Sequence, residues 1–369
     1  MWDEVRKAER AGLVFSEDRK TLLKCRNKEI GEVVIPAGVT RIGDSAFEGC
    51  ANLTSVIIPD GVTCIGIRSF MDCSSLTDIN IPASVIDIGD FAFSGCSGLT
   101  SVIIPVGVKN IWYSVFSGCT GLTNITLPDG VVSIANYAFS GCTGLTSINI
   151  PGSVTKIWAQ AFKGCTGLTS VAVPPGVTQI SDRTFEGCTG LTSVTLPDSV
   201  TSIGDFAFAC CESLTAINIP SGVTSIGAGA FSACSKLTGV TLPESVEQIG
   251  EQAFYICTSL TGASIPRGVR EIENYVFYGC SALTEVTIPS TVKRIGDSAF
   301  EGCTSLTNVK IPDGVTELGG SAFSDCTALT EVTVPRSVTL VQTDVFDGAG
   351  CEDQVRRDYP ELFDPDFDR

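Results

Sequence analysis

Residues 122–144, LTNITLPDGVVSIANYAFSGCTG, decide the fold because their pattern recurs along most of the chain. A fixed period between about 20 and 50 residues is typical of solenoids, in which each unit buries its apolar side only against its neighbours. The sequence therefore predicts a repeat solenoid. Fourteen phenylalanines mark the period of 23 residues without an insertion, at positions 47, 70, 93, 116, 139, 162, 185, 208, 231, 254, 277, 300, 323 and 346.

Each position of the repeat has a structural interpretation. Ile125 and Leu127 alternate with polar residues, which is the period-two pattern of a short strand with one buried face. Pro128 ends that strand because it has no N–H to donate. Val131 and Ile134 form a second inner wall. The ring of Phe139 is too large to fit within a single coil and must share space with the rings of neighbouring coils. We therefore expect the phenylalanines to stack as a spine through the core.

A column of thirteen cysteines follows, each three residues after a repeat phenylalanine, from Cys50 to Cys326. A metal array is one interpretation, but the sequence has no CxxC pair and no histidine to complete a zinc site. The alternative is that each thiol is a small buried group whose S–H reaches a turn carbonyl. We favour this structural role and expect neither disulfides nor bound metal.

The pattern LxxIxLPxxVxxIgxxAFxxC resembles the leucine-rich repeat of the BspA, or Treponema pallidum, type over about residues 33–349. The resemblance implies a right-handed leucine-rich-repeat superhelix of about fourteen 23-residue coils, mostly β with short turns and capped at both ends. It also implies a parallel sheet on the concave side, in proteins that are often bacterial surface adhesins. Ala263 in the strand and Ala349 in the cysteine column are the main departures from the pattern.

We expect a single elongated domain with a cap at each end, since a solenoid must cover its terminal coils. Residues 1–30 predict an N-terminal cap, with a short charged helix followed by a hairpin. Residues 31–350 then form the solenoid. Residues 351–369 predict a helical C-terminal cap, to which the segment supplies Val355, Tyr359, Leu362 and Phe363.

The amino-acid composition limits the classes of partner that the protein is expected to bind. The net charge of −17 and the pI of about 4.4 argue against nucleic acid, which is bound by clustered Lys and Arg. No apolar run is long enough to predict membrane insertion. Met1 leads directly into charged residues, which predicts no signal peptide in this chain. The localisation therefore stays open: the resemblance suggests a bacterial surface or secreted protein, whereas free cysteines suggest the cytoplasm or an anaerobic setting.

An outward surface on four successive coils is the predicted ligand-binding site. The position after the inner isoleucine is glycine in eight of fourteen repeats but tryptophan in two, and neighbouring columns add three more aromatics. Aromatics with a cationic rim resemble binding hot spots. They could instead shield sheet edges or turn backbone, and the small polar strand columns are another candidate face. The predicted site residues are Phe91, Lys109, Trp112, Tyr113, Tyr137, Lys156 and Trp158.

We therefore expect a non-enzymatic protein-binding module, adhesin-like or scaffold-like and monomeric, whose ligand is an unidentified protein such as a host-cell or matrix protein. The alternative is carbohydrate or cell-wall binding, through Trp112, Tyr137 and Trp158, because flat rings can stack on sugars. Catalysis is disfavoured because the sequence has no histidine, no GxSxG, no P-loop and no GxGxxG after a strand. No cofactor is expected.

Overall fold

The computed structural model describes residues 2–360. It forms a β-solenoid of about fourteen turns, in which each 23-residue repeat is one coil. The chain divides into two compact units, each of which is a stack of coils. Unit 1 comprises residues 1–177 and 187–191, and unit 2 comprises residues 178–186 and 192–369.

The first sheet is built from the alternating segment that precedes each proline. Its strands pair in parallel with an offset of one repeat, so that Asn124 faces Ser101 and Ile125 faces Val102. The central residue points inward and its two neighbours are exposed in most of these strands, as period-two alternation requires. In unit 1 its strands are Glu32–Val34, Ser55–Ile57, Asp78–Asn80, Ser101–Ile103, Asn124–Thr126 and Ser170–Ala172. The equivalent strands of unit 2, described by themselves, are Ser193–Thr195, Ala216–Asn218, Gly239–Thr241, Gly262–Ser264, Glu285–Thr287 and Asn308–Val309.

A second parallel sheet runs along the wall formed by the repeat valine and isoleucine. Each strand has only two residues, and Ser133 and Ile134 lie in register with the coils on both sides. In unit 1 its strands are Arg41–Ile42, Cys64–Ile65, Asp87–Ile88, Asn110–Ile111, Ser133–Ile134 and Lys156–Ile157. The equivalent strands of unit 2, described by themselves, are Gln179–Ile180, Ser202–Ile203, Ser225–Ile226, Gln248–Ile249, Glu271–Ile272, Arg294–Ile295, Glu317–Leu318 and Leu340–Val341.

The turn segment that carries the phenylalanine forms a third ladder of hydrogen bonds. Phe93 N–H donates to the carbonyl of Val115 at 2.9 Å, and Phe116 N–H donates to Ala138 at 2.9 Å. The predicted spine is confirmed within each unit: neighbouring rings lie 5.1–5.7 Å apart and within 4–10° of parallel. That spacing is offset stacking, and burying each ring is worth roughly 1.5–3 kcal/mol.

The cysteine thiols have the structural role that the repeat predicted. Cys142 is buried and its Sγ donates to the carbonyl oxygen of Phe116, one coil earlier, at 3.1 Å. With this bond included, twelve repeats from Cys73 to Cys326 have the same interaction. The threonine hydroxyls form a similar ladder, in which Thr100 Oγ1 donates to the carbonyl of Thr77 at 3.3 Å. These side chains therefore serve the backbone of the preceding coil.

Helices and a hairpin lie at the chain ends. Helix α1 (Trp2–Arg10) precedes strand β1 (Leu13–Phe15) and strand β2 (Thr21–Cys25), which pair antiparallel. β2 also pairs in parallel with Arg41–Ile42 and thereby extends the second sheet. Near the other end, helix α2 (Glu352–Asp358) buries Val355. Leu362 and Phe363, predicted to complete this cap, lie outside the described residues. Within residues 2–360, no helix is long and apolar enough to cross a bilayer.

Candidate functional site

The predicted ligand-binding residues lie on the outer side of unit 1, along the second sheet. Trp112 and Trp158 directly follow the strands Asn110–Ile111 and Lys156–Ile157. They are 41% and 46% exposed, and neither has a left-handed backbone. Both indoles therefore point outward, as their column predicted.

Three of the other aromatic residues form a ladder across successive coils. The ring centroids of Phe91 and Tyr113 are 5.1 Å apart, those of Tyr113 and Tyr137 are 5.4 Å apart, and both pairs are tilted by 57°. Such tilted pairs are attractive beyond the area they bury. Phe91 and Tyr137 are half-buried, while Tyr113 is 38% exposed. The sequence grouped these residues correctly but did not predict their direct contact.

Charged side chains hold several of these rings in place. Trp112 Nε1 donates to the Asp87 carboxylate at 3.0 Å, and Tyr113 N–H donates to the Asp90 carboxylate at 3.0 Å. The ammonium of Lys156 lies 5.5 Å from the centre of the Trp158 ring. Because a cation over an aromatic face is attracted by the ring quadrupole, Lys156 favours one indole orientation.

The two lysines of the predicted rim differ in their surroundings. Lys156 lies over an aromatic ring, whereas Lys109 Nζ donates to the carbonyl of Val106 at 3.4 Å. Arg68, which the sequence reasoning did not select, lies 5.3 Å from the centre of the Phe91 ring. The cationic rim over the rings is therefore Arg68 and Lys156.

The aromatic residues also pack against the chain. The sequence left open whether they bind a ligand or shield sheet edges and turn backbone. The ring ladder, the Trp112–Asp87 hydrogen bond and the Lys156–Trp158 contact give each of the five rings a neighbour in the structure. The rings bury one side against the chain and expose the other, so they both pack and remain accessible.

Aliphatic residues extend this surface, and the sequence reasoning missed them. Ile86 is 62% exposed, and Val132 and Ile67 are also exposed. Ile67 lies in the column directly after that of the tryptophans, and Ile86 and Val132 lie in a column three residues before it. The sequence did contain an indication of their exposure, because the column of Ile86 and Val132 holds the polar residue threonine in eight of fourteen repeats. Exposed apolar area of this kind marks interaction surfaces. We call Ile67, Ile86, Phe91, Trp112, Tyr113, Val132, Tyr137 and Trp158 the aromatic surface.

Buried repeat thiols such as those of Cys96, Cys142 and Cys326 are unsuited to nucleophilic or metal chemistry. Burial raises the pKa of Cys96, of Cys142 and of Cys326 to about 12 each, from an ordinary value of 9.0. A reactive cysteine needs the opposite shift, because the thiolate is the nucleophile and the metal ligand. Among residues 2–360, no three His, Cys, Asp or Glu side chains are grouped closely enough to hold a metal ion.

Comparison with known proteins agrees with the repeat geometry. The profile of the BspA type leucine rich repeat region matches residues 24–146, 132–261 and 224–352. A leucine-rich repeat protein from Bacteroides ovatus is 30% identical and has a TM-score of 0.71, with 95% of this chain and 89% of that chain covered. A leucine rich cell surface protein from Faecalibacterium prausnitzii is 30% identical, with a TM-score of 0.59 and coverage of 88% and 93%.

A third structure supports the fold alone. A leucine-rich repeat protein from Eubacterium ventriosum is 23% identical and has a TM-score of 0.60, with 85% of this chain and 90% of that chain covered. No curated protein matches the chain. The repeat profile spans most of the sequence, and its period coincides with the coil seen in the structure. This chain therefore belongs to the BspA-type leucine-rich repeat proteins.

Proposed function

We propose that this protein is a non-enzymatic binding module whose ligand is another protein, contacted mainly through the aromatic surface of unit 1. The family suggests a role in protein interaction or at a cell surface, and leucine-rich repeat folds are typically non-enzymatic. The observation that carries the proposal is the half-exposed Trp112 and Trp158, which are held in orientation by Asp87 and Lys156.

Preorganised aromatic rings favour a protein ligand for an energetic reason. A ring already fixed by its neighbours loses little conformational freedom on binding, so more of its contact energy contributes to affinity. Trp and Tyr are enriched among the residues that dominate protein interfaces. The exposed aliphatic residues beside them provide apolar area that a protein partner can cover.

Carbohydrate binding is the second candidate. Its best support is Trp112, whose indole is anchored by a carboxylate, an arrangement that could also present a flat face to a sugar. However, Tyr137 contacts the ring of Tyr113, and Lys156 lies over the ring of Trp158. Two of the three rings that a sugar platform would use are thus partly occupied, which favours protein over carbohydrate.

The test compares the full chain with two variants that each lose two large apolar side chains. Trp112→Ala with Trp158→Ala alters the aromatic surface, and Ile57→Ala with Ile103→Ala alters the exposed face of the first sheet. Immobilised proteins are incubated with host-cell lysates, with bacterial lysates and with a glycan array. We expect proteins that are retained by the wild type and the first-sheet variant but lost by the tryptophan variant.

Two outcomes would contradict the proposal. Retention that depends on Ile57 and Ile103 but not on the tryptophans would place binding on the first sheet. Glycan binding that is lost in the tryptophan variant, without captured protein, would favour the carbohydrate alternative.

A further inference from the structure

A column of left-handed residues runs along the third ladder, two residues before each spine phenylalanine. Phe91 and Phe206 are aromatic members of this column. Each is covered by an arginine from the preceding coil: Arg68 lies 5.3 Å from the Phe91 ring centre and Arg183 lies 4.5 Å from that of Phe206. The chain thus repeatedly places a guanidinium over an aromatic ring at this position.

Tyr275 occupies the same column in unit 2 without such a cation. The residue one repeat earlier is Gln252, which is neutral. The Tyr275 side chain is 37% exposed and its ring lies 6.0 Å from that of Tyr278, which in turn stacks on Tyr255 at 4.9 Å. We call Tyr255, Tyr275 and Tyr278 the tyrosine cluster. Within the described residues, no Lys or Arg lies over any of its rings.

The surroundings of the tyrosine cluster are acidic. The carboxylate of Glu301 is the main cause that raises the pKa of Tyr278, and Asp325 acts in the same direction. Unit 2 as a whole carries 26 Asp and Glu against 11 Lys and Arg, a net charge of −15, whereas unit 1 carries 15 against 13, a net charge of −2. Aromatic faces beside carboxylates attract cations through both the ring quadrupole and the negative charge.

A groove of about 920 Å³ on unit 2 includes Glu273, two residues before Tyr275. Its floor is glycine backbone, and a Cβ added at Gly227 would lie 2.6 Å from the Asp205 nitrogen. Glu251 and Glu271 also line it, together with the exposed cation Arg270. The nearby cation Arg294 is already engaged, since its Nε lies 3.1 Å from Glu317 and its Nη1 lies 4.0 Å from Glu273.

We propose that the tyrosine cluster and this groove bind a cationic segment of a partner protein, with a lysine or arginine side chain against the tyrosine rings. The positively charged side chain of the partner lies against a tyrosine ring, as the guanidinium of Arg68 lies over Phe91 and that of Arg183 lies over Phe206. The half-buried glycines that line the groove carry no side chain and leave room for the backbone of an extended segment. The excess of acidic residues excludes a nucleic acid from the same surface by repulsion.

Fluorescence anisotropy of a labelled glycine-serine peptide that contains arginines tests this site on the full chain. The matched probe has citrulline, a neutral isostere, in place of arginine. Tyr275→Leu removes the ring and Glu301→Gln removes the charge. Asp313→Asn is the control, because Asp313 is an exposed turn residue of unit 2 and its loss changes the net charge by the same amount.

The arginine peptide should bind the wild type, and Tyr275→Leu and Glu301→Gln should each weaken binding about fivefold. Asp313→Asn should leave affinity within about twofold, because an exposed distant charge is screened by salt. The citrulline peptide should not bind. The proposal is overturned if the arginine peptide fails to bind, if the citrulline peptide binds equally well, if Tyr275→Leu and Glu301→Gln have no effect, or if Asp313→Asn weakens binding as much as they do.

Discussion

The repeat cysteine is both a packing group and a hydrogen-bond donor in the twelve repeats from Cys73 to Cys326. Cys142 donates to the Phe116 carbonyl from a site with no solvent exposure, and its counterparts do the same along both units. Burial disfavours the thiolate, so the pKa of Cys96, of Cys142 and of Cys326 rises to about 12 each. Deprotonation of these thiols is thereby coupled to unfolding.

This coupling predicts loss of stability at alkaline pH. In the unfolded chain the thiols titrate near 9, the ordinary value, whereas in the folded chain they remain protonated to about 12. The folded state therefore binds more protons above pH 9, and each such thiol lowers the free energy of unfolding by about 1.4 kcal/mol per pH unit. Urea denaturation from about pH 8 to about pH 11 should show a steep decline.

Variants with fewer buried thiols provide the control. Cys142→Val should lose some stability at neutral pH but should decline less steeply with pH than the wild type. Cys210 is exposed, and partial burial raises the pKa of its thiol too, so Cys210→Ser should change the slope, but by less than Cys142→Val does. A wild-type slope that does not change when Cys142 is removed would show that these thiols do not cause the alkaline loss.

Left-handed residues are the second residue-scale feature. The position two residues after each spine phenylalanine has positive φ throughout, with glycine in nine repeats and other residues in five. Ala233 has φ of 57° and Gly164 has φ of 70°. A residue with a Cβ is disfavoured in this region by roughly 1–2 kcal/mol, whereas glycine is not.

Reciprocal substitutions at these two sites should therefore have opposite effects. Ala233→Gly should raise the free energy of unfolding by about 0.5–1 kcal/mol, and Gly164→Ala should lower it by about 1 kcal/mol. The nearest atoms to a Cβ on Gly164 are 3.8 Å away, so backbone strain and not a clash is the cause. The midpoints of urea denaturation of the two variants measure both changes in the free energy of unfolding. Shifts of the same sign would contradict this explanation.

At the scale of elements, much of the coil follows from the sequence. Ser55–Ile57 and the other first-sheet strands are predicted by alternation and by the proline that ends them, and the hairpin of β1 and β2 by its two apolar runs. The spine follows from the invariant period of the phenylalanines. These features depend on local patterns that repeat in register, which a sequence displays directly.

Other features depend on contacts between coils and could not be predicted. Val131 and Ile134 indicated a wall, but two inward residues three apart carry no alternation, so the second sheet was not predicted as strands. Phe91 and Arg68 adopt left-handed backbones that their residue types disfavour. The third ladder of coil-to-coil hydrogen bonds imposes this conformation. The Phe91–Tyr113–Tyr137 contacts likewise depend on coil spacing.

Side-chain carboxylates accept hydrogen bonds from backbone N–H groups of the next coil, and this interaction supports a further prediction. Asp205 Oδ1 accepts the Ala228 N–H at 2.8 Å, and Asn274 Oδ1 accepts the Asp297 N–H at 2.9 Å in the same column. An amide oxygen can thus replace the carboxylate. Asp205→Asn should leave thermal stability nearly unchanged, whereas Asp205→Ala should cost about 1 kcal/mol because it leaves the Ala228 N–H without its acceptor. If Asp205→Asn and Asp205→Ala changed thermal stability equally, the hydrogen bond to the Ala228 N–H would not have this stabilising role.

At the scale of the whole molecule, the two units differ in surface chemistry. Exposed Ile86, Trp112, Tyr113 and Trp158 lie in unit 1, and most of the excess negative charge lies in unit 2. Like charges on one unit repel and destabilise it, and salt screens this repulsion. The sequence shows the charge difference, but it does not show which apolar residues are exposed.

Raising NaCl from about 0.05 M to about 1 M should therefore slow backbone amide exchange more in unit 2 than in unit 1. Peptide-resolved hydrogen exchange measures this. Sucrose is the control, because it stabilises both units through exclusion from the surface and not through charge. If NaCl and sucrose give the same pattern in the two units, charge repulsion is not significant in unit 2.

We propose that the aromatic surface of unit 1 binds a protein. The most direct test is the equilibrium dissociation constant of a captured protein for the wild type, for Trp112→Ala with Trp158→Ala, and for Ile57→Ala with Ile103→Ala, with melting temperatures in parallel. Because two ring contacts would be lost at the interface, the tryptophan variant should bind about thirtyfold more weakly while remaining folded at the assay temperature. The first-sheet variant should bind like the wild type. Unchanged affinity in the folded tryptophan variant would contradict the claim.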